Sequence, residues 1–172
     1  MNVKEAIEKR QSVRSYKDKN IPEKVLNEVL DAARLAPSGN NAQPSRFYVV
    51  KTEEDKKKLK ENDIFHQDFV YEAPAIIVCC SDPTAYPKNK DGWDSEDETR
   101  AVRDISIASS FLVLRATELG LGTCYIGWVK KEEIKKVLGI PEKYVVPYVI
   151  PIGYPDEEPD ERGRKPLEEI IL

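Results

Sequence analysis

Histidine is almost missing from this chain: His66 stands alone among 172 residues. No second histidine shares a metal with it, and no serine or cysteine nucleophile is arranged around it. A histidine-based triad and a zinc centre are both excluded on that ground, and His66 reads as a surface or loop residue. Cysteine is scarce too. Cys79 and Cys80 are adjacent and Cys124 is isolated, all in apolar surroundings, so the thiols form neither a disulfide framework nor a metal site and read as buried. No apolar run approaches the ~20 residues of a membrane span. An excess of base is also lacking: 27 Lys and Arg face 31 Asp and Glu, a net charge of −4. That balance argues against general nucleic-acid binding, though not against a small basic pocket. The opening MNVKEAIEKR has neither the apolar stretch nor the cleavage site of a signal peptide, so a cytoplasmic protein is expected.

What is present fits a globular chain: 40% hydrophobic and 34% charged residues, enough length for one packed domain over residues 1–172, and no internal repeat. Residues 3–10 carry Val3, Ala6 and Ile7 at helical spacing. A stronger helix follows Pro22, with Val25, Leu26, Val29, Leu30 and Ala33 as its apolar stripe, and runs to about Ala36 before Pro37 stops it. RFYVVK (46–51) is a short strand and Glu53 to Glu61 a charged helix. AIIVCCS (75–81) is apolar almost throughout, as a strand covered on both faces would be. Residues 82–99 read as a polar excursion over the surface, and 100–119 as a buried central helix that ends at Gly120 and Gly122. TCYIGWV begins another strand, KKEEIKKVLGIP is a compact helix, and YVVPYVIPIGY is the last long strand despite two prolines. About four strands alternate with helices that cover them, which gives an α/β or α+β class. The charged tail ends in Ile170, Ile171 and Leu172, so residues 165–172 read as an arm that docks elsewhere, a neighbouring subunit being one candidate.

Three stretches invite a chemical reading. GLGTCYIG looks like a dinucleotide fingerprint, but that motif follows a strand and precedes a helix. Here the order is reversed, so a helix stop followed by close backbone packing is the plain reading. RQSVRSY gathers Arg10, Ser12 and Arg14 where the first helix ends. Either the arginines satisfy the helix carbonyls and macrodipole, or guanidinium forks and a hydroxyl, brought to one side by an extended backbone, grip a phosphate. APSGNNAQPS (36–45) is either a helix stop or a set of amides, able to donate and accept, that suits a planar heterocycle. The late RGRKP adds Arg162, Arg164 and Lys165 to an acidic tail.

In their order along nearly the whole chain, these segments resemble the FMN-dependent nitroreductase family. RQSVRSY is similar to its N-terminal Arg-x-Ser-x-Arg element, APSGNNAQP to its Pro-Ser-x-x-Asn-x-Gln-Pro loop, ATELGLGTCYIGW to its helix-to-strand segment, and GRKPLEEIIL to its basic tail. The resemblance implies an α+β fold, with a mixed sheet covered by helices, in an intertwined homodimer with two FMN sites at the subunit interface. It implies that Arg10 and Ser12 hold the phosphate and ribityl end, that Gln11 also binds the cofactor, that Arg14 lies toward the pyrimidine edge, and that Arg164 and Lys165 meet the phosphate from the tail. Pro37, Ser38, Gly39, Asn41 and Gln43 would line the same flavin largely from the partner subunit, and backbone amides around Ile126 and Gly127 would approach its reactive middle. Tyr86 and Trp93 are candidates for the substrate pocket or for a surface loop.

The implied activity is NADH- or NADPH-dependent, ping-pong hydride transfer through FMN to a nitroaromatic, quinone or related small acceptor. The cofactor carries the chemistry, and Arg14 gives electrostatic support to the reduced ring. A dehalogenating or flavin-cleaving enzyme of the same fold is the alternative, and a flavin-binding protein without efficient turnover another. Neither a metal, a nucleic acid nor a membrane enters the expectation.

Overall fold

The computed structural model describes residues 1–87 and 97–172. Its centre is a four-stranded sheet in the order β1-β2-β4-β3, formed by β1 (Ser45–Val50), β2 (Ala75–Ser81), β3 (Gly122–Thr123) and β4 (Val145–Gly153). All three strand pairings are antiparallel. Among the described residues, the one parallel pairing is an isolated bridge between Ser12 and Thr123. Helices α1 (Val3–Lys9), α2 (Glu23–Arg34), α3 (Glu53–Glu61), α4 (Phe69–Glu72), α5 (Asp97–Glu118) and α6 (Lys131–Leu138) complete the α+β fold.

The apolar run of β2 is buried at every position because both faces of the sheet are covered. Ile77 and Cys79 pack on one face with Ile150 and Ile152 of β4 against Leu26, Val29 and Ala33 of α2 and Ile105, Leu112 and Ala116 of α5. Ile76, Val78 and Cys80 alternate to the other face, with Val146 and Val149, and meet Leu59 of α3 and Ile134 of α6. All three cysteines are free and buried. Helix α2 stops at Arg34, capped by Leu35, slightly ahead of the expected Ala36 because Pro37 disfavours helical backbone before it. Helix α5 begins at Asp97, inside the stretch read as an excursion.

TCYIGWV was expected as a strand, but only Gly122–Thr123 forms one. The two prolines of β4 explain the difference. Gly122 faces Gly153 and Thr123 faces Ile152, and the same register continues to a bridge in which Ile126 and Val149 exchange both backbone hydrogen bonds, at 2.9 and 3.0 Å. The next hydrogen-bonding pairs on either side, Cys124 with Pro151 and Trp128 with Pro147, each oppose a residue with no N–H to return. Cys124 reaches Pro151 with a single long bond of 3.4 Å, and the ladder breaks. On the β2 side, the register shifts between Cys79 and Ser81, opposite Pro147.

Candidate functional site

The site grows from the end of α1. Arg10 caps that helix with extended backbone, its N–H still donating to Ala6. The chain then runs extended past β3, where Val13 N–H donates to Thr123 O at 3.0 Å. That approach requires glycine at 122, since a Cβ there would lie 2.7 Å from Val13. Gly120, at φ +76°, takes the left-handed turn that ends α5. The Gly-rich stretch therefore stops a helix and lets two backbones touch.

The tail closes on the same segment from the other side. Lys17 N–H donates to Tyr154 O at 2.9 Å and Asp156 N–H to Ser15 O at 3.0 Å. The Glu157 carboxylate accepts from the N–H groups of both Arg14 and Ser15. Tyr16 is anchored beneath, its hydroxyl donating to Val13 O at 2.7 Å, and burial pushes its phenol far above the ordinary value. The tail then passes the N-terminal element and forms a groove of about 590 Å³. Arg10, Gln11, Ser12 and Arg14 line it with Arg162 and Arg164, and so do Glu8, Glu157, Asp160 and Glu161. Four guanidinium groups thus share the groove with four carboxylates. Of these acids, Glu157 is spent on backbone amides, and Glu8 pairs at 3.8 Å with Lys4. The Gln11 Oε1 atom is buried without a hydrogen-bond donor, so a donor from a ligand would remove a desolvation cost.

The loop after α2 forms a separate groove of about 320 Å³, lined by Pro37, Ser38 and Gln43 with Leu30, Phe47 and Ala108 among others. Gly39 and Asn41 belong to the adjoining 3₁₀ turn, Gly39–Asn41. The Ser38 hydroxyl accepts from Gln43 N–H at 2.9 Å. Asn40, Asn41 and Gln43 all have positive φ, near 50°, where residues with a Cβ are unfavourable. Within one chain, therefore, the Arg-x-Ser-x-Arg element and the Pro-Ser loop line different grooves.

Other expected residues are placed differently. Lys165 does not line the Arg10 groove; its ammonium pairs at 3.0 Å with Glu169, brought one turn away by the 3₁₀ segment Leu167–Glu169. Ile126 spends both backbone groups on Val149, and Gly127 O accepts from Val129 N–H at 3.1 Å; the space where a Cβ on Gly127 would stand is open, with nothing beyond its chain neighbours within 4 Å. Tyr86 turns inward rather than toward a pocket; its hydroxyl donates to Asp104 at 2.8 Å in the core, where burial raises the phenol above its ordinary range and the Asp104 carboxylate adds to the effect. Trp93 lies outside the described residues.

Sequence reading missed Glu157, Asp104 and Cys124. Glu157 closes a contact across 143 residues, which no local pattern can signal. Cys124 lies beside the groove: burial pushes its thiol up, while Arg14, a hydrogen bond with Ser12 and Arg10 pull it back. Asp104 did carry a signal, as the last charge before the apolar run of α5.

Comparison with known proteins adds to this geometry. The model of the Nitroreductase family matches residues 7–64 and 62–154. A protein of Methanothermobacter thermautotrophicus, provisionally named an NADH dehydrogenase/NAD(P)H nitroreductase, is 39% identical over 168 residues, covering 94% of this chain and 82% of its own length. An NAD(P)H FMN reductase of Bacillus subtilis is 31% identical over 171 residues, covering 92% and 68% respectively. Among solved structures, a nitroreductase family protein of Clostridium difficile has a TM-score of 0.85 at 30% identity, covering 100% of this chain and 98% of its own.

Proposed function

The chain belongs to the nitroreductase family, and from that premise we propose that it is an NAD(P)H-dependent FMN oxidoreductase that works as a homodimer. The observation that carries the reading is the convergence of Arg10, Ser12, Arg14 and Arg164 on one groove. Guanidinium forks and a hydroxyl suit a phosphate, and the orphaned Gln11 oxygen suits a hydroxyl donor of a ribityl chain. The donor set therefore fits FMN. When bound, FMN supplies hydride chemistry, accepting from reduced nicotinamide and passing electrons to a small acceptor such as a nitroaromatic or quinone.

The chain's own residues bind and orient. Arg10, Ser12 and Arg164 hold the phosphate end. Arg14, its backbone fixed by Glu157, places a cation at the pyrimidine edge, where it offsets developing negative charge. Gly127 leaves room for close approach at the reactive middle of the ring. Pro37, Ser38, Gly39, Asn41 and Gln43 contact the same cofactor from the second subunit, which accounts for two grooves in one chain. The dimer also covers apolar side chains that one chain leaves exposed: Val3 and Ile7 on α1, Phe111 on α5, and Leu167, Ile170 and Ile171 on the 165–172 arm.

An anaerobic absorbance experiment on FMN-saturated protein tests the reading. Bleaching of the bound flavin by NADH or NADPH, followed by recovery when a quinone or nitroaromatic is added, is expected. Bound flavin that neither nicotinamide bleaches would defeat it.

A further inference from the structure

We propose that Asp104 is a positioning residue that, with Tyr86 and Arg100, holds the Pro-Ser loop in the left-handed conformation it presents to the cofactor; the role toward FMN rests on the reading above. Asp104 lies on the core side of α5, 2% exposed. A carboxylate there weakens packing unless its hydrogen bonds are satisfied. Its Oδ2 atom accepts from Gly39 N–H and from the Tyr86 hydroxyl, both at 2.8 Å, and its Oδ1 atom faces Arg103 Nε at 3.6 Å. Arg100 donates to Asn40 Oδ1 at 2.9 Å while its guanidinium stacks 4.3 Å from the centre of the Tyr86 ring. A Cβ on Gly39 would lie 3.6 to 3.7 Å from Arg100, Asp104 and Tyr86, so all three pack directly on the turn.

The turn needs such support. Asn40, Asn41 and Gln43 hold positive φ, and backbone of this kind persists where surrounding contacts over-determine it. The bond from Gln43 N–H to the Ser38 hydroxyl acts within the loop, whereas Asp104 and Arg100 tie it to the central helix. A loop that must meet a ligand across a subunit boundary gains affinity from being ordered beforehand.

The test uses the full chain, with FMN titrations followed by flavin fluorescence and with amide hydrogen exchange of residues 38–43 in FMN-free protein. Both donors reach one oxygen, so Asp104→Asn can retain both bonds, Asp104→Ala loses both, and Tyr86→Phe loses one. Asp104→Ala is expected to weaken FMN binding by about tenfold and to speed exchange in the turn, while Asp104→Asn stays within about threefold of wild type. Tyr86→Phe removes one oxygen atom, leaves the packing intact, and carries the same test if Asp104→Ala does not fold; a weakening of about threefold with faster exchange is expected. Unchanged exchange and affinity in Tyr86→Phe, or an Asn variant as impaired as the Ala variant, would overturn the proposal. Wild-type protein that fails to bind FMN would defeat the functional reading instead, and exchange in the FMN-free variants would still decide whether Asp104 orders the loop.

Discussion

Placing a methyl group on Gly122 tests the contact on which the N-terminal half of the groove is built. In Gly122→Ala the new Cβ would lie 2.7 Å from Val13 Cβ and Cγ2 and 2.9 Å from Cγ1. Val13 is buried and its backbone is bonded to Thr123, so neither strand can withdraw freely. Overpacking of this kind costs about 1–3 kcal/mol. Val13→Ala alone removes two buried methyl groups and costs about 1.5 kcal/mol. In the double variant two of the three clashing atoms are gone, while Val13 Cβ remains. Its loss should therefore fall short of the sum of the single losses by about 1 kcal/mol. Urea unfolding followed by far-UV circular dichroism, on FMN-free protein at one fixed concentration, measures all four corners of the cycle. Strict additivity, or a Gly122→Ala variant as stable as wild type, would show that the strands do not meet as described. Gly122→Ala should also weaken FMN binding, because Ser12 rides on the displaced segment.

Three further outcomes follow from the same geometry. Arg10→Ala should weaken FMN binding by about one to two decades, the loss of a charge-assisted contact worth about 1.5–3 kcal/mol, while Lys17→Ala, outside the groove, changes it little; equal losses in fluorescence titrations would refute the phosphate assignment. Removing residues 165–172 should lower both the dimer fraction in sedimentation and the flavin retained, and a truncated dimer with full flavin occupancy would remove the arm from the interface. Burial pushes the Cys80 thiol up to about 12 and Cys79 well above its ordinary value, so at pH 8 both should resist iodoacetamide in native protein and react once urea exposes them. Rapid native labelling at these two positions would contradict the buried sheet.

Legibility from sequence followed the range of each interaction. The stripe of α2 and the unbroken run of β2 are local patterns, and the structure places both as read. The grouping of Arg10, Ser12 and Arg14 was legible because it needs only extended backbone after a helix. The length of β3 was not, although its cause is written in the sequence: Pro147 and Pro151 limit it, and their effect depends on a register known only once the strands are paired. Glu157 was hidden, and Asp104 stood out only as a charge at the edge of an apolar run, for a related reason. Each acts on backbone amides far away in sequence, Gly39 in one case and Arg14 and Ser15 in the other. Lys165 was grouped with Arg164 by proximity in sequence, but the turn that follows gives it an acidic neighbour instead.

The clamp between residues 14–17 and 154–157 sets an order of events during synthesis. Both faces of the sheet can gather apolar partners once β4 has been made, yet the groove has no second wall until residues 157–164 leave the ribosome. If the groove is the phosphate site proposed above, its full set of guanidinium groups is among the last features to form, and flavin would not act as a template for the early chain. Contacts separated by some 140 residues also close slowly compared with local ones. On the proposed reading, a nascent chain stalled before Glu157 would hold much of its core and the Arg10–Arg14 wall but lack the wall that carries Arg162 and Arg164, so tight flavin retention would report arrival of the tail rather than collapse of the interior.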